Sequence, residues 1–159
     1  MPQGLLALDL ATVTGYAYLK SLENTPISGT CRIISVDKSS VGYFIAFEKF
    51  IDDLITLSDP HTIVFEAPFI GAIRNLNTVR RLTGFTLLTE MAAYKKSIPR
   101  IREVNNSSVK KFFTGNGRAD KKDMIFKCRS KGWDPKDDNE ADALAILCLG
   151  VSIIYGVEI

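Results

Sequence analysis

The segment Leu5-Leu6-Ala7-Leu8-Asp9-Leu10 limits the choice of fold more than any other stretch of the chain. A short, nearly continuous apolar run suits a strand covered on both faces, since successive side chains turn to opposite sides of a sheet. Asp9 interrupts it, and a buried carboxylate is tolerated only when something pairs or coordinates it. After Thr12 and Thr14, Gly15 opens a second apolar run, Tyr16 to Leu19. The segment therefore predicts a strand carrying Asp9, a tight turn and an antiparallel neighbour. The alternative, an edge strand with Asp9 in water, is opposed by the acids that follow.

Residues 27–36 predict a third strand, preceded by a turn at Glu23-Asn24-Thr25-Pro26, so the first three strands form an antiparallel meander. Ser39 or Ser40 caps a helix whose stripe is Val41, Phe44, Phe47, Ile51 and Leu54 or Ile55. Thr62 to Phe65 is a strand that delivers Glu66 at its end, and Pro68 stops regular pairing. Two apolar strands thus carry an acid near the C-terminal end, where ligands bind in α/β sheets. A long helix is expected from Ala72 to Tyr94, with Leu76, Val79, Leu82 or Thr83, Leu87 and Met91 as its buried stripe. Gly84 inside it either permits close approach of another helix, a second subunit's included, or is simply tolerated. Arg100 to Val104 is a fifth strand, and a short helix holds Val109, Phe112 and Phe113. The loop Thr114-Gly115-Asn116-Gly117 leads to a helix starting near Arg118, and Asp137-Asp138 starts the last helix.

The 159 residues suit one domain, with 46% apolar and 24% charged side chains. No segment has the length of a membrane span, and the N-terminal residues do not resemble a secretory signal. Cys31, Cys128 and Cys148 are odd in number and set among apolar neighbours, as in a reducing compartment. With His61 the sole histidine, a Cys/His zinc cluster is nearly excluded. The net charge of +2 conceals a segregation: residues 74–136 hold 16 basic and 5 acidic side chains, while both flanks are acidic. A basic middle between acidic ends suits a polyanion held against a cation site.

Asp9, Glu66 and Asp142 are the three acids with mainly apolar surroundings in sequence. Gathering them is costly unless a divalent cation neutralises them. Oxygen ligands without Cys or His favour Mg²⁺ or Mn²⁺ over zinc, and two such ions sharing a carboxylate support phosphoryl transfer. In the last helix Asp138 and Asn139 lie one turn before Asp142 and share its face, while Glu140 points elsewhere. Acids at a helix start also interact well with its dipole, which alone accounts for Asp137 and Asp138 if they hold no ion.

Several motifs now fall into one order: Leu6-Ala7-Leu8-Asp9 with Thr14-Gly15; Val64-Phe65-Glu66 followed by Phe69; Val109-Lys110-Lys111 leading to Thr114-Gly115-Asn116-Gly117. Then come Ala119-Asp120-Lys121-Lys122 and Glu140-Ala141-Asp142-Ala143-Leu144-Ala145. Together they resemble the RuvC family of Holliday junction resolvases, crossover junction endodeoxyribonucleases of the ribonuclease H-like superfamily, over Leu5 to about Leu149. The resemblance implies one nuclease domain over residues 1–159, bacterial or phage in type, working in the cytoplasm. It implies metal ligation by Asp9, Glu66 and Asp142, an aromatic probe of the opened junction at Phe69, and basic groups near the scissile phosphate at Lys110 or Lys111 and Lys121 or Lys122. The family's fourth acidic position is Asn139 here, whose oxygen is neutral; Asp138 can take over, as can Glu140 if the first turn is distorted. Arg74, Arg80, Arg81 and Arg118 are further candidates for DNA phosphates.

The expectation is an α/β ribonuclease H-like fold, a five-stranded mixed sheet flanked by helices, acting as a homodimer. With Mg²⁺, or Mn²⁺ in its place, and two ions per site, it nicks four-way and related branched DNA symmetrically to 5′-phosphate and 3′-hydroxyl ends. The alternatives are a related nuclease cutting other branched DNA or RNA–DNA hybrids, and a noncatalytic binder of DNA structures. Asp9 with Thr12, Thr14 and Gly15 also loosely resembles the first phosphate loop of sugar kinases and actin-like ATPases, but that fold needs two such domains.

Overall fold

The computed structural model describes residues 4–68, 71 and 74–159. Five strands, β1 (Leu5–Asp9), β2 (Val13–Leu19), β3 (Ile27–Arg32), β4 (Thr62–Glu66) and β5 (Arg100–Val104), form one mixed sheet. Its order is β3-β2-β1-β4-β5. The first three strands are antiparallel, and β4 and β5 run parallel to β1, as expected. The helices are α1 (Ser40–Ser58), α2 (Leu76–Lys95), α3 (Asn106–Thr114), α4 (Lys121–Ser130) and α5 (Asp138–Tyr155).

Period-two alternation divides the core in two. Leu5 and Ala7 of β1, Ala17 and Leu19 of β2 and Val64 of β4 pack beneath α3, α4 and α5. Leu6, Leu8, Tyr18, Ile63 and Phe65 pack against α1 and α2 on the other face. The same parity assigns Asp9 and Glu66 to the α5 face, because each is an even number of residues from Ala7 or Val64. A strand buried on both sides and ending in an acid thus aims that acid at the last helix.

The α5 helix is the central support of that face. Leu144, Ile146 and Leu147 are fully buried, each worth roughly 1.5–3 kcal/mol relative to exposure. Two glycines let it lie against the sheet. A Cβ on Gly15 would stand 2.0 Å from the Asn139 carbonyl oxygen, and one on Gly150 would stand 2.9 Å from Val64 Cγ2. Gly15 pairs with Asp9 in the β1–β2 ladder, so the residue lacking a side chain admits the start of α5 beside the acid.

The differences from expectation have local causes. β3 stops at Arg32 rather than Val36: Ile33 N–H donates to the Thr12 carbonyl and Val36 N–H to Gly42, which draws the chain off the sheet edge toward α1. α2 starts at Leu76 because the Asn75 side chain accepts from Asn77 and Thr78 N–H and caps it there; Ala72 lies outside the described residues. α4 starts at Lys121, where Asp120 and Asp123 form a reciprocal capping box, rather than near Arg118.

The stripe chosen for α2 proves to be its outer side. Phe85, Thr89, Ala92 and Ala93 are the buried residues, whereas Leu76, Leu87 and Met91 are 82%, 55% and 41% exposed. Two apolar arcs exist on this helix, and periodicity could not say which one meets the sheet. Gly84 has an intrachain reason: its added Cβ would lie 2.3 Å from Phe44 Cε1 of α1. The glycine lets α1 and α2 pack closely, and Phe44 in turn meets Phe85 edge-on with centroids 6.1 Å apart.

Candidate active site

Asp9 ends β1 and Glu66 ends β4, while Asp138, Asn139 and Asp142 stand in the first turns of α5. The acids are close enough to perturb one another. Burial holds the Asp9 carboxyl well above the usual carboxylate range, and Asp142, Glu66, Asp138 and Asp137 push it further the same way. Burial, then Glu66, drives Asp142 up to about 6, against the opposing pull of Lys110 and Lys121. Burial also raises Glu66, offset by a hydrogen bond from Asn106 and by Lys110. Among the described residues no three of Asp, Glu, His and Cys converge into a ready cage for one ion. The acids are spread around a shared space rather than closed on a point. Their chemistry nonetheless fits hard divalent cations: an all-oxygen set, raised by burial and, for Asp9 and Asp142, by neighbouring acids, both of which a cation would offset.

The start of α5 separates the acids by task. Asp137 caps the helix, its Oδ1 accepting from Glu140 N–H at 2.9 Å. Glu140 is buried and turned to the sheet edge, where Ser28 Oγ donates to Oε1 at 2.7 Å and Lys136 N–H to Oε2 at 2.9 Å. Both Glu140 carboxylate oxygens are thus engaged within the chain. Asp138 pairs with Lys121 Nζ at 2.6 Å, and that bond lowers its pKa. Asp138 also bears on both Asp9 and Asp142. Asn139 sits at the same end, its backbone against Gly15.

The cations also sort. Lys110, half-buried on α3, acts on Glu66 and Asp142, and Lys121 at the start of α4 acts on Asp138 and Asp142. Lys111 and Lys122 are exposed neighbours, as are Arg74, Arg80 and Arg118. Arg81 is occupied within the chain: Nη1 donates to Thr12 Oγ1 at 3.2 Å, and the guanidinium lies 3.7 Å over the Tyr43 ring. Phe69 lies outside the described residues.

Thr14, singled out by its motif, gains a structural task, and Asn106 is a contributor the sequence reading missed. Thr14, fully buried, donates from Oγ1 to the Ala11 carbonyl at 2.6 Å and ties the turn after Asp9. Asn106 Nδ2 donates to Glu66 Oε1 at 2.9 Å. The doubled Asn105-Asn106 was the available signal, one residue to cap α3 and one to spare.

The raised acids give a stability prediction. Between the unfolded carboxylate pKa of about 4 and the folded value for Asp142, the native state binds more protons than the unfolded chain. Stability therefore falls as pH rises through that window. The metal-free protein should melt higher at pH 5 than at pH 7, and Asp142→Asn should melt higher than wild type at pH 7, by about 1–3 kcal/mol. Asp138, being lowered, works in the opposite sense and only below the ordinary carboxylate range. Melting curves in chelator from pH 4.5 to 7.5 test this; a wild-type melting temperature that climbs steadily with pH would contradict it.

No protein-family model matches the chain. It is 32% identical over 106 residues to the crossover junction endodeoxyribonuclease RuvC of Corynebacterium jeikeium, a match covering 65% of this chain and 61% of that relative. Thermus thermophilus RuvC superposes with a TM-score of 0.76 at 16% identity, covering 98% of this chain and 99% of that one. T. thermophilus RuvC in complex with a Holliday junction substrate gives 0.74 at 16% identity, over 91% and 90%. The yeast mitochondrial Holliday junction resolvase Ydc2 gives 0.66 at 11% identity, over 89% and 75%. The sheet order and the helices on its two faces give the chain the fold of the solved RuvC structures, and the sequence match spans about three fifths of the curated relative's length.

Proposed function

We propose that the chain is a divalent-metal-dependent endonuclease that nicks four-way and related branched DNA, symmetrically and as a homodimer, in the cytoplasm of a bacterial or phage-infected cell. One observation carries this reading: acids from β1, β4 and α5, all raised by burial and Asp9 and Asp142 further by their acidic neighbours, stand beside Lys110 and Lys121 on the fold of the RuvC structures. Asp9, from the central strand, would be the shared ligand, Glu66 and Asp142 would ligate beside it, and Asp138 would supply the fourth charge. Two Mg²⁺ ions, or Mn²⁺ in their place, would activate water and stabilise the departing oxygen. The reaction adds that water to phosphorus and breaks the bond to the 3′ oxygen, leaving 5′-phosphate and 3′-hydroxyl ends. Lys110 and Lys121 hold the scissile phosphate, and Lys121 exchanges Asp138 for it when DNA arrives. Lys111, Lys122, Arg74, Arg80 and Arg118 are left to contact backbone phosphates; these fix register without reading sequence.

The homodimer is supported by the face of α2 that the described residues leave uncovered. Leu76, Val79, Leu87 and Leu88 line an apolar groove of about 650 Å³ with Phe44 of α1. A contiguous apolar surface of this kind marks an interaction site.

The test is incubation of labelled four-way junction, linear duplex and RNA–DNA hybrid with and without Mg²⁺. Paired cuts on the junction alone support the reading; cutting of the hybrid would move it to a related nuclease, and binding without cutting to a structural binder. A metal titration identifies the fourth oxygen. Asp138→Ala should raise the Mg²⁺ needed for half-maximal cutting tenfold or more, about 1.4 kcal/mol. A large loss in Asn139→Ala with none in Asp138→Ala would instead assign the position to the neutral amide.

A further inference from the structure

The hydrogen bond between Asn106 and Glu66 restricts how the acid can ligate. Glu66 ends β4, and Asn106 is the first residue of the helix that follows β5. The Ala67 N–H donates to the Val104 carbonyl at 2.7 Å, which fixes the end of β4 against the chain entering α3. Asn105 is consumed as the cap: its Oδ1 accepts from Ser108 N–H at 2.8 Å and from Ser107 Oγ at 2.9 Å. The next amide is then free to turn on the acid, and Asn106 Nδ2 reaches Glu66 Oε1 at 2.9 Å from a half-buried position. An ionised carboxylate only accepts, so the NH₂ group of Asn106 must face it. Glu66 Oε2 accepts no hydrogen bond from any described residue.

One oxygen of Glu66 is therefore engaged, and the other is left without a hydrogen bond from the described residues. Ca²⁺ readily takes both oxygens of a carboxylate in its loose shell of about six to eight ligands, whereas Mg²⁺ demands a tight octahedron that suits single-oxygen donors. We propose that Asn106 is a positioning residue that holds Glu66 to one-oxygen ligation and so biases the site toward small octahedral cations over larger ones. This rests on the reading of Glu66 as a ligand given above.

The test is calorimetric titration of the full chain, without DNA, with Mg²⁺ and with Ca²⁺. Asn106→Ala should weaken Mg²⁺ about tenfold, as loss of a carboxylate's hydrogen-bond partner does elsewhere. Ca²⁺ should change by less than about threefold, since a freed second oxygen compensates. Asn106→Gln, which keeps the donor, should recover at least half of the lost preference. Junction binding in chelator, read by anisotropy, should stay at the wild-type level, which general damage to α3 would not allow. If the alanine variant is unstable, Asn106→Leu, of similar volume, should give the same change in preference. Equal weakening of both ions, or of neither, overturns the role of Asn106 and leaves the nuclease reading standing. A Glu66→Gln variant that binds Mg²⁺ as wild type does would overturn both.

Discussion

Asp9→Asn is expected to lower the rate of junction cutting in Mg²⁺ by roughly a thousandfold or more, about 4 kcal/mol of barrier, while junction binding in Ca²⁺ stays within a few-fold of wild type. The reason is a division of labour. Asp9 comes from the central strand and is pushed upward by burial and by every acid around it. A shared carboxylate is the one whose loss affects both cations. Asp142→Asn should behave similarly on cutting, with the added signature of higher stability at neutral pH in chelator. The basic side chains proposed to hold DNA lie on other elements, α3, α4 and the approach to α2, so removing either acid leaves them in place. Wild-type cutting by either variant would remove that residue from the active site. Weaker binding with unchanged cutting at saturation would instead place the acid in DNA contact.

Much of the fold was legible because its signals are local. The apolar run through Leu8, the β-branched Thr62-Ile63-Val64 and the alternation at Arg100 to Val104 each marked a strand within a residue or two. That Asp9 and Glu66 each end a strand was legible too, since both follow apolar runs that a sheet must bury. What stayed hidden depends on which neighbour a residue meets. Two apolar arcs on α2 looked alike until Phe85 was seen stacked on Phe47 at 4.2 Å, which turned Leu76 and Leu87 outward. Gly84 pointed to a helix neighbour, but sequence could not tell Phe44 of the same chain from a second copy. Lysine pairs such as Lys110-Lys111 are indistinguishable by type, and only the direction of α3 sets Lys110 toward Glu66 and Asp142. Glu140 looked like a spare ligand until Ser28, 112 residues away in sequence, claimed it. Contacts of that kind carry no periodicity and no motif.

The outward turn of that α2 arc sets the second large effect. Leu87→Glu should weaken the proposed dimer by a hundredfold or more, about 2.7 kcal/mol, because a carboxylate set in an apolar interface loses its hydration without gaining a partner. Leu87 is the useful position: it lines the groove with Leu76, Val79 and Phe44, yet it is more than half exposed in the single chain. Folding of the protomer should therefore be barely touched. Gly84→Leu is a poorer probe, since its side chain would strike the Phe44 ring and disturb the α1–α2 contact before any second copy is met. Phe126→Glu on α4 supplies the control, a comparably exposed apolar residue on the opposite face of the sheet. Sedimentation equilibrium at micromolar protein should report a dimer for wild type and Phe126→Glu, and a monomer for Leu87→Glu. Cutting should follow: paired nicks at symmetric positions in the first two, single nicks in the third. A Leu87→Glu protein that remains dimeric and nicks in pairs would place the interface off this groove, and the apolar arc of α2 would then need another partner to cover it.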